Sequence, residues 1–503
     1  MAIKKERIKR NLKKQGPVTT IIFLCLIIAL ISLVLNLFKI SGNTTEAGTL
    51  ETSVVTINNI FSKDGIKYIL NNSITNFQIM DSIIYIIMSL MIVSLLETSG
   101  LLKHVINPLK KIKPKYVTLI IIFISIISTV VGDNSYALLL PLVAAIYKLL
   151  NRSPILGIIT VFIGITIGYG ISVIPTYQDY LLGVTTTTSA GSIDQSYQYS
   201  LFSTYFLNIC SIVILTIAST ILIEKTLSKK YIRYDYEDNL VMSKKALLIS
   251  SIIFILLFGA VIYSIIPNLP FSGILLNSNN PVYIVKLFGT DSAFGNGYML
   301  IIMGITIVCS YIYGRISGNI RNSNDYTYAL TKSFENTGYI FTLMFFASIM
   351  LGLLEWSNIG TVVATNIVDF VGSLNFSGIP LLFIVFVSII IISILIPSTL
   401  TKWNIIAPIF VPMLIRANIT PSFAQAIFQA ADAVGKLFSP IYIYLIITIG
   451  FLYKSDQNIN TSIFSVMRKI MPIILILALV YFVIIIGWYL IGLPLGINSS
   501  ITM

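Results

Sequence analysis

Apolar runs that occur in pairs, each run too short to cross a bilayer and the two joined by a few polar residues, constrain this chain more than any other feature. The first pair is Val117 to Val131 and Tyr136 to Ile146, interrupted by Gly132-Asp133-Asn134-Ser135. The second is Leu381 to Leu395 and Asn404 to Ile415, interrupted by Pro397-Ser398-Thr399-Leu400-Thr401-Lys402. A membrane-crossing helix needs about 20 residues, each rising about 1.5 Å, so no run of either pair spans by itself. Backbone that leaves the helix at membrane depth is tolerated only where it is buried in protein or lines a water-filled cavity. Each pair therefore reads as a re-entrant hairpin.

Each hairpin is followed by a segment that opens with proline and is broken in its middle. After the first comes Pro154 to about Leu182, broken at Tyr169-Gly170-Ile171-Ser172 and Pro175. After the second comes Pro421 to Leu452, broken around Asp432, Gly435, Lys436 and Pro440. The same order twice predicts an internal repeat, residues 80–230 with a hairpin at 117–149 and residues 337–490 with a hairpin at 381–415, within one transmembrane domain of residues 1–503. Free helix ends at such breaks bind ions and polar substrates in secondary transporters.

The rest of the chain agrees with a membrane setting. Of its 503 residues, 56% are hydrophobic and 11% charged, and the mean hydropathy is +0.90, which excludes a water-soluble fold. The run from Val18 to Ile40 is too long for a signal-peptide core and no small-residue cleavage site follows it, so it reads as a retained first span. The net charge of +13 is concentrated in short segments beside apolar spans, as cytoplasmic anchors are, and does not point to nucleic acid. Cys25, Cys210 and Cys309 lie inside apolar runs without metal-ligand spacing and read as small core residues.

Lys- and Arg-rich loops stay on the cytoplasmic side. Lys4, Lys5, Arg7, Lys9 and Arg10 place the N-terminus inside, and the acidic stretch 41–80, with Glu46, Glu51 and Asp64, lies outside. A second span, about Ile83 to Leu102, returns to a basic loop with Lys103, Lys110, Lys111, Lys113 and Lys115. Lys225 to Lys245, Arg315 to Arg321 and Lys454 to Lys469 supply the other cytoplasmic connections. The hairpins then approach from opposite faces, the repeat is inverted, and the C-terminus is outside. The predicted fold is all-α and polytopic: about nine transmembrane helices plus two re-entrant hairpins, with broken helices, in the plasma membrane.

Particular residues carry a family resemblance. Lys402-Trp403-Asn404-Ile405-Ile406-Ala407-Pro408-Ile409-Phe410-Val411-Pro412-Met413 resembles the hairpin signature of the AbgT family, the aminobenzoyl-glutamate transporters. Glu97 to Leu102, Leu138 to Leu142, Trp356 to Gly360 and Gly492 to Gly496 are similar in order and spacing. The resemblance implies a homodimer of bowl-shaped protomers, with nine spans and two hairpins each. It also implies a substrate similar to p-aminobenzoyl-glutamate, p-aminobenzoate or sulfonamide-type antimetabolites, with possible efflux, driven by an ion gradient. It marks Asp179, Trp403, Pro421, Asp133 and Asp432 as positions matching functional residues of the family. Three positions depart from the pattern: Gln429 stands where the family has Arg, Ser393 where it has Asn, and Lys436 where it has an uncharged polar residue. Without the Arg there is no planar guanidinium at that position for bidentate carboxylate recognition.

A charge at the centre of a lipid-embedded helix costs roughly 2.5–3.5 kcal/mol on insertion scales, so intramembrane ionisable residues are the main site candidates. Asp432 and Lys436 are four apart and face one another on a continuing helix. They read either as a structural ion pair or as a site in which the ammonium stands in for a bound cation, leaving Asp432 or Asp179 to respond to protons. Asp179 is either a solvated carboxylate at the mouth of its helix or a substrate or proton site. Asp133, Asn134 and Ser135 form a hairpin tip met by caps, water or ligand, with Ser398 at the other tip. Trp403 is either an interfacial anchor or a stacking surface for an aromatic substrate. Glu97 reads as a snorkelling or capping residue, and His104 as a solvated residue of the basic loop.

No His-Glu-x-x-His helix, Gly-x-Ser-x-Gly elbow or phosphate loop occurs, so no enzyme, cofactor or ATPase is expected, and protons are favoured over sodium as the coupling ion. A channel, an intramembrane enzyme and a sodium-coupled dicarboxylate carrier remain as alternatives.

Overall fold

A computed structural model describes residues 16–45, 47, 51–231, 236, 238–277, 279–457 and 462–503. The basic cluster Lys4 to Arg10, Glu46 and Ser278 lie outside the described residues. The chain enters through α1 (Pro17–Leu37), a ribbon of β1 (Ser41–Thr45) and β2 (Thr52–Thr56), α2 (Lys63–Gln78), α3 (Asp81–Ser99) and the short α4 (Leu101–Ile106). The first hairpin and broken helix are α5 (Pro114–Ile127), α6 (Asn134–Leu149), α7 (Pro154–Gly168) and α8 (Tyr177–Ala190). Next come α9 (Tyr205–Thr226), α10 (Lys244–Ile265), α11 (Tyr283–Phe288), α12 (Ala293–Ser317), α13 (Ser323–Thr331), α14 (Gly338–Trp356) and α15 (Ile359–Ser373). The second hairpin and broken helix are α16 (Gly378–Leu395), α17 (Thr399–Arg416), α18 (Pro421–Phe438) and α19 (Ile443–Ser455), and α20 (Ile463–Ile491) closes the fold.

Among the described residues, nine helices are long and apolar enough to cross a membrane. Two of these, α5 with its continuation to Val131 and α16, are first arms of hairpins. The bent pair α18 with α19, meeting at 43°, is long and apolar enough only when the two are taken together, and α7 is a shorter apolar helix. The multi-pass helical reading therefore holds. Among the described residues the two-stranded sheet that departs from all-α is the ribbon of β1 and β2, antiparallel with Ser41 opposite Thr56. Its Thr and Val residues suit a pleated edge, and Asn366 Nδ2 of α15 donates to Ser41 O at 2.9 Å.

Proline begins α5, α7 and α18 at a position where its missing N–H has no intrahelical partner to lose. Every residue of α7 is buried, as is every residue of α18 from Pro421 to Leu437, the pattern of a helix enclosed on all sides. The enclosure comes from the hairpins: α5 and α6 clasp α7, and α16 and α17 clasp α18, each arm meeting the clasped helix far more than its own partner. At the periphery α10 buries only 11% of its membrane-length window and presents Leu248, Ile255 and Leu256 outward.

The second break differs from the sequence reading. α18 runs unbroken through Asp432, Gly435 and Lys436, and the helix stops after Phe438, over Ser439 to Tyr442. Pro440 donates no N–H and disfavours α geometry at Ser439, whose ψ is 117°. Polar residues inside a helix need partners but do not by themselves end it.

Candidate functional site

The tip of the first hairpin turns at Gly132, whose φ of +64° an L side chain adopts only with strain. Ser135 closes the turn by donating to Gly132 O at 2.6 Å and Ser128 O at 2.5 Å. Asp133 does not cap its own helix. Its carboxylate accepts from Tyr169 Oη at 2.5 Å, tying the tip to the break between α7 and α8. Tyr136 stacks on Tyr444 with ring centroids 4.4 Å apart, and its hydroxyl lies 3.2 Å from that of Tyr442. A tyrosine cluster thus joins the first hairpin to the second break.

The second tip begins α17 with Ser398 as N-cap, its hydroxyl accepting from Thr401 N at 3.3 Å. Behind it four side chains from three helices converge on Asp432. Ser393 of α16 donates to Oδ1 at 2.8 Å and Thr399 of α17 to Oδ2 at 2.7 Å. Lys402 is in ion-pair contact with Oδ1, and Lys436 Nζ stands 3.3 Å from Oδ2 while also donating to Thr399 Oγ1. Gly435 permits this convergence, since a Cβ there would lie 2.4 Å from Ser393 Cβ. The side chains of Lys402 and Asp432 are 0% and 1% exposed. The facing pair Asp432 and Lys436 is present as the i, i+4 spacing requires, but it belongs to a triad whose second ammonium, Lys402, the sequence reading did not single out as a site residue. A lysine in the tip between two apolar hairpin arms was the available signal.

Between the two tips lies a cavity of about 850 Å³. Asp133, Asn134, Ser398, Lys436, Tyr442 and Tyr444 are on its wall, and it is within the size range of small-molecule sites. The other candidates lie elsewhere. Asp179 is not a solvated mouth residue: it is 5% exposed and forms a capping box with Thr176 at the start of α8. Its carboxylate accepts from Thr176 N at 2.8 Å, Thr176 Oγ1 at 2.7 Å, Ser172 Oγ at 3.1 Å and Gln429 Nε2 at 2.6 Å. Gln429 is therefore turned to Asp179 and not to the cavity.

Trp403 is 1% exposed and stacks on Phe428 at 4.4 Å. Its Nε1 donates to Thr186 Oγ1 at 2.9 Å, and that hydroxyl reaches Gln425 Oε1 at 2.5 Å, so Trp403 binds α8, α17 and α18 together instead of facing the cavity. Pro421 starts α18, and Ser393 serves Asp432. Glu97 pairs with Lys148 at 3.8 Å, and His104 is half-buried against Tyr313 Oη at 2.8 Å instead of solvated. Cys210 is exposed on α9, not in the core. Among the described residues no three His, Cys, Asp or Glu gather as metal ligands.

Paired hairpins clasping broken helices, with a cavity where the tips and breaks meet, are the architecture of a multi-pass membrane transporter. The chain belongs to the AbgT putative transporter family, whose family model matches residues 6–503. It is 25% identical over 497 residues to the p-aminobenzoyl-glutamate transport protein of Escherichia coli (strain K12), covering 96% of this chain and 94% of that one. Among solved structures, it is similar to the Alcanivorax borkumensis YdaH transporter, at 23% identity and a TM-score of 0.49 over 96% of this chain and 100% of that one. Neisseria gonorrhoeae MtrF, described with a class of antimetabolite efflux pumps, matches at 22% identity and a TM-score of 0.48 over 97% and 98%.

Proposed function

We propose that this protein is a secondary active transporter of small aromatic molecules resembling p-aminobenzoyl-glutamate, p-aminobenzoate or sulfonamide antimetabolites, driven by the proton gradient. The observation that carries the reading is the cavity of about 850 Å³ between the hairpin tips, lined by Tyr442 and Tyr444 together with Asp133, Asn134, Ser398 and Lys436. Aromatic faces with a few placed polar groups suit a small aromatic ligand that carries polar substituents. Residues 80–230 and 337–490 act as the two inverted repeats, and substrate gains access alternately from each side. The protein works as a homodimer in the plasma membrane with its N-terminus in the cytoplasm.

Protons are favoured because Asp432 already has two ammonium groups against it. A sodium ion brought to the same carboxylate would meet two like charges, each repelling by about 4 kcal/mol at about 4 Å and an effective dielectric of about 20. The same two ammonium groups hold Asp432 ionised, which leaves Asp179, the other buried carboxylate among the described residues, to carry the coupling proton. A sodium-coupled dicarboxylate carrier is the competing reading.

Proteoliposomes holding the purified protein decide between them. Labelled p-aminobenzoyl-glutamate should move under an imposed proton gradient, and equally well with sodium replaced by choline at constant pH and membrane potential. Comparing uptake with release fixes the direction, export of antimetabolites included. Competition by succinate but not by p-aminobenzoate, with flux that needs sodium, would replace this reading with the dicarboxylate one.

A further inference from the structure

The triad around Asp432 is unbalanced: one carboxylate, two ammonium groups. Lys402 is fully buried, off the cavity, and paired with Oδ1, so it neutralises Asp432 without help. Lys436 is the surplus charge. Among the described residues on the cavity wall it is also the one cation; the carboxylates there are Asp133, held by Tyr169, and Glu355, exposed at the end of α14.

An ammonium has three donors. In Lys436 two are directed at Asp432 Oδ2 and Thr399 Oγ1. Its remaining side rests over the Tyr169 ring, 4.5 Å from the centroid. A cation on an aromatic face is held more weakly than one bonded to an anion. An anionic group arriving in the cavity can therefore replace the ring as the third partner while Asp432 and Thr399 keep the ammonium in position. Ser398 and Thr401, at the start of α17, line the same cavity, and Thr401 Oγ1 donates to Ser398 Oγ at 2.9 Å, leaving the Ser398 hydroxyl proton for a ligand. The helix of 18 residues also directs its positive end there. Tyr442 and Tyr444 stand close by for the ring that bears the anionic group.

We propose that Lys436 is the residue of this transporter that takes the carboxylate of an aromatic acid, a task that Gln429, engaged with Asp179, does not perform. The assignment rests on the substrate class given above and names the side chain that discriminates within it. It also predicts that the protein separates an aromatic acid from its neutral amide.

The test uses the full chain in lipid nanodiscs, with calorimetric binding of p-aminobenzoate and of its uncharged isostere p-aminobenzamide. The wild type should prefer the acid by about tenfold or more, the equivalent of one charge-assisted hydrogen bond. Lys436→Met should lose that preference while binding the amide within about threefold of the wild type, and Lys436→Arg should keep the preference. Retained amide binding shows that the variant is folded. Should the Met variant not fold, Lys436→Gln, which keeps a donor toward Asp432, is expected to give the same loss of preference.

Equal loss of acid and amide binding in a folded variant, or a preference that survives removal of the charge, overturns the assignment. A wild type that binds both probes without preference overturns it alone. A wild type that binds neither overturns the substrate class together with it.

Discussion

Lys402 and Asp432 form an ion pair with almost no access to solvent, 0% and 1% exposed. Such a pair is costly to break because one charge is left uncompensated in low dielectric. Asp432→Asn is expected to lower stability by roughly 3–5 kcal/mol, read as a fall in the unfolding temperature of the purified protein in detergent. Adding Lys402→Met should return most of that loss; a double variant no more stable than the single one would show that the lysine has another partner. Trp403 is a different case. Its stacking on Phe428 and its bond to Thr186 make it a packing residue joining three helices, so Trp403→Ala should destabilise by roughly 3–5 kcal/mol through the space it leaves. Flux per folded molecule should change little, and Trp403→Phe should be milder in stability. A folded, stable Trp403→Ala protein that no longer carries substrate would return the ring to the substrate site.

At the level of elements, the two hairpins serve mainly to enclose helices. Each pair of arms packs around the first half of a broken helix, and α19 turns 43° from α18 after the second break. The second break depends on Pro440, and Ser439 Oγ compensates locally by donating to Ile394 O at 2.8 Å. Pro440→Ala restores an N–H and removes the bar to α geometry at Ser439, favouring a continuous helix through α18 and α19. That straightening moves Tyr442 and Tyr444 off the cavity wall. Flux should fall at least tenfold, about 1.4 kcal/mol in barrier terms, with unfolding temperature unchanged or raised. Wild-type flux from this variant would show that the bend is not part of the transport cycle.

For the whole molecule, the distribution of charge sets the way the chain lies in the bilayer. A cysteine introduced at Lys111 or Lys230 should react with an impermeant thiol reagent only from the cytoplasmic side, and one at Phe271, 94% exposed after α10, only from outside. These experiments start from a variant in which Cys210, exposed on α9, has been replaced. Labelling at position 111 from outside would reverse the assignment of the first hairpin.

Apolar run length, paired short runs and basic loops are properties of consecutive residues, so the number of spans and the existence of both hairpins were readable from the sequence. So were the polar tips at Asp133 and Ser398 and the facing of Asp432 and Lys436, which follows from helical spacing alone. What each polar side chain meets is a matter of elements distant in the chain. Gln429 finds Asp179 only because α18 packs against α8, and Trp403 finds Thr186 only because α17 does. Lys402 becomes a site residue only because Gly435 lets α16 and α18 approach until three helices share one carboxylate. Burial is costly for every unpaired polar group, and the tertiary structure decides which partner relieves that cost and which residue, Lys436, is left facing the cavity.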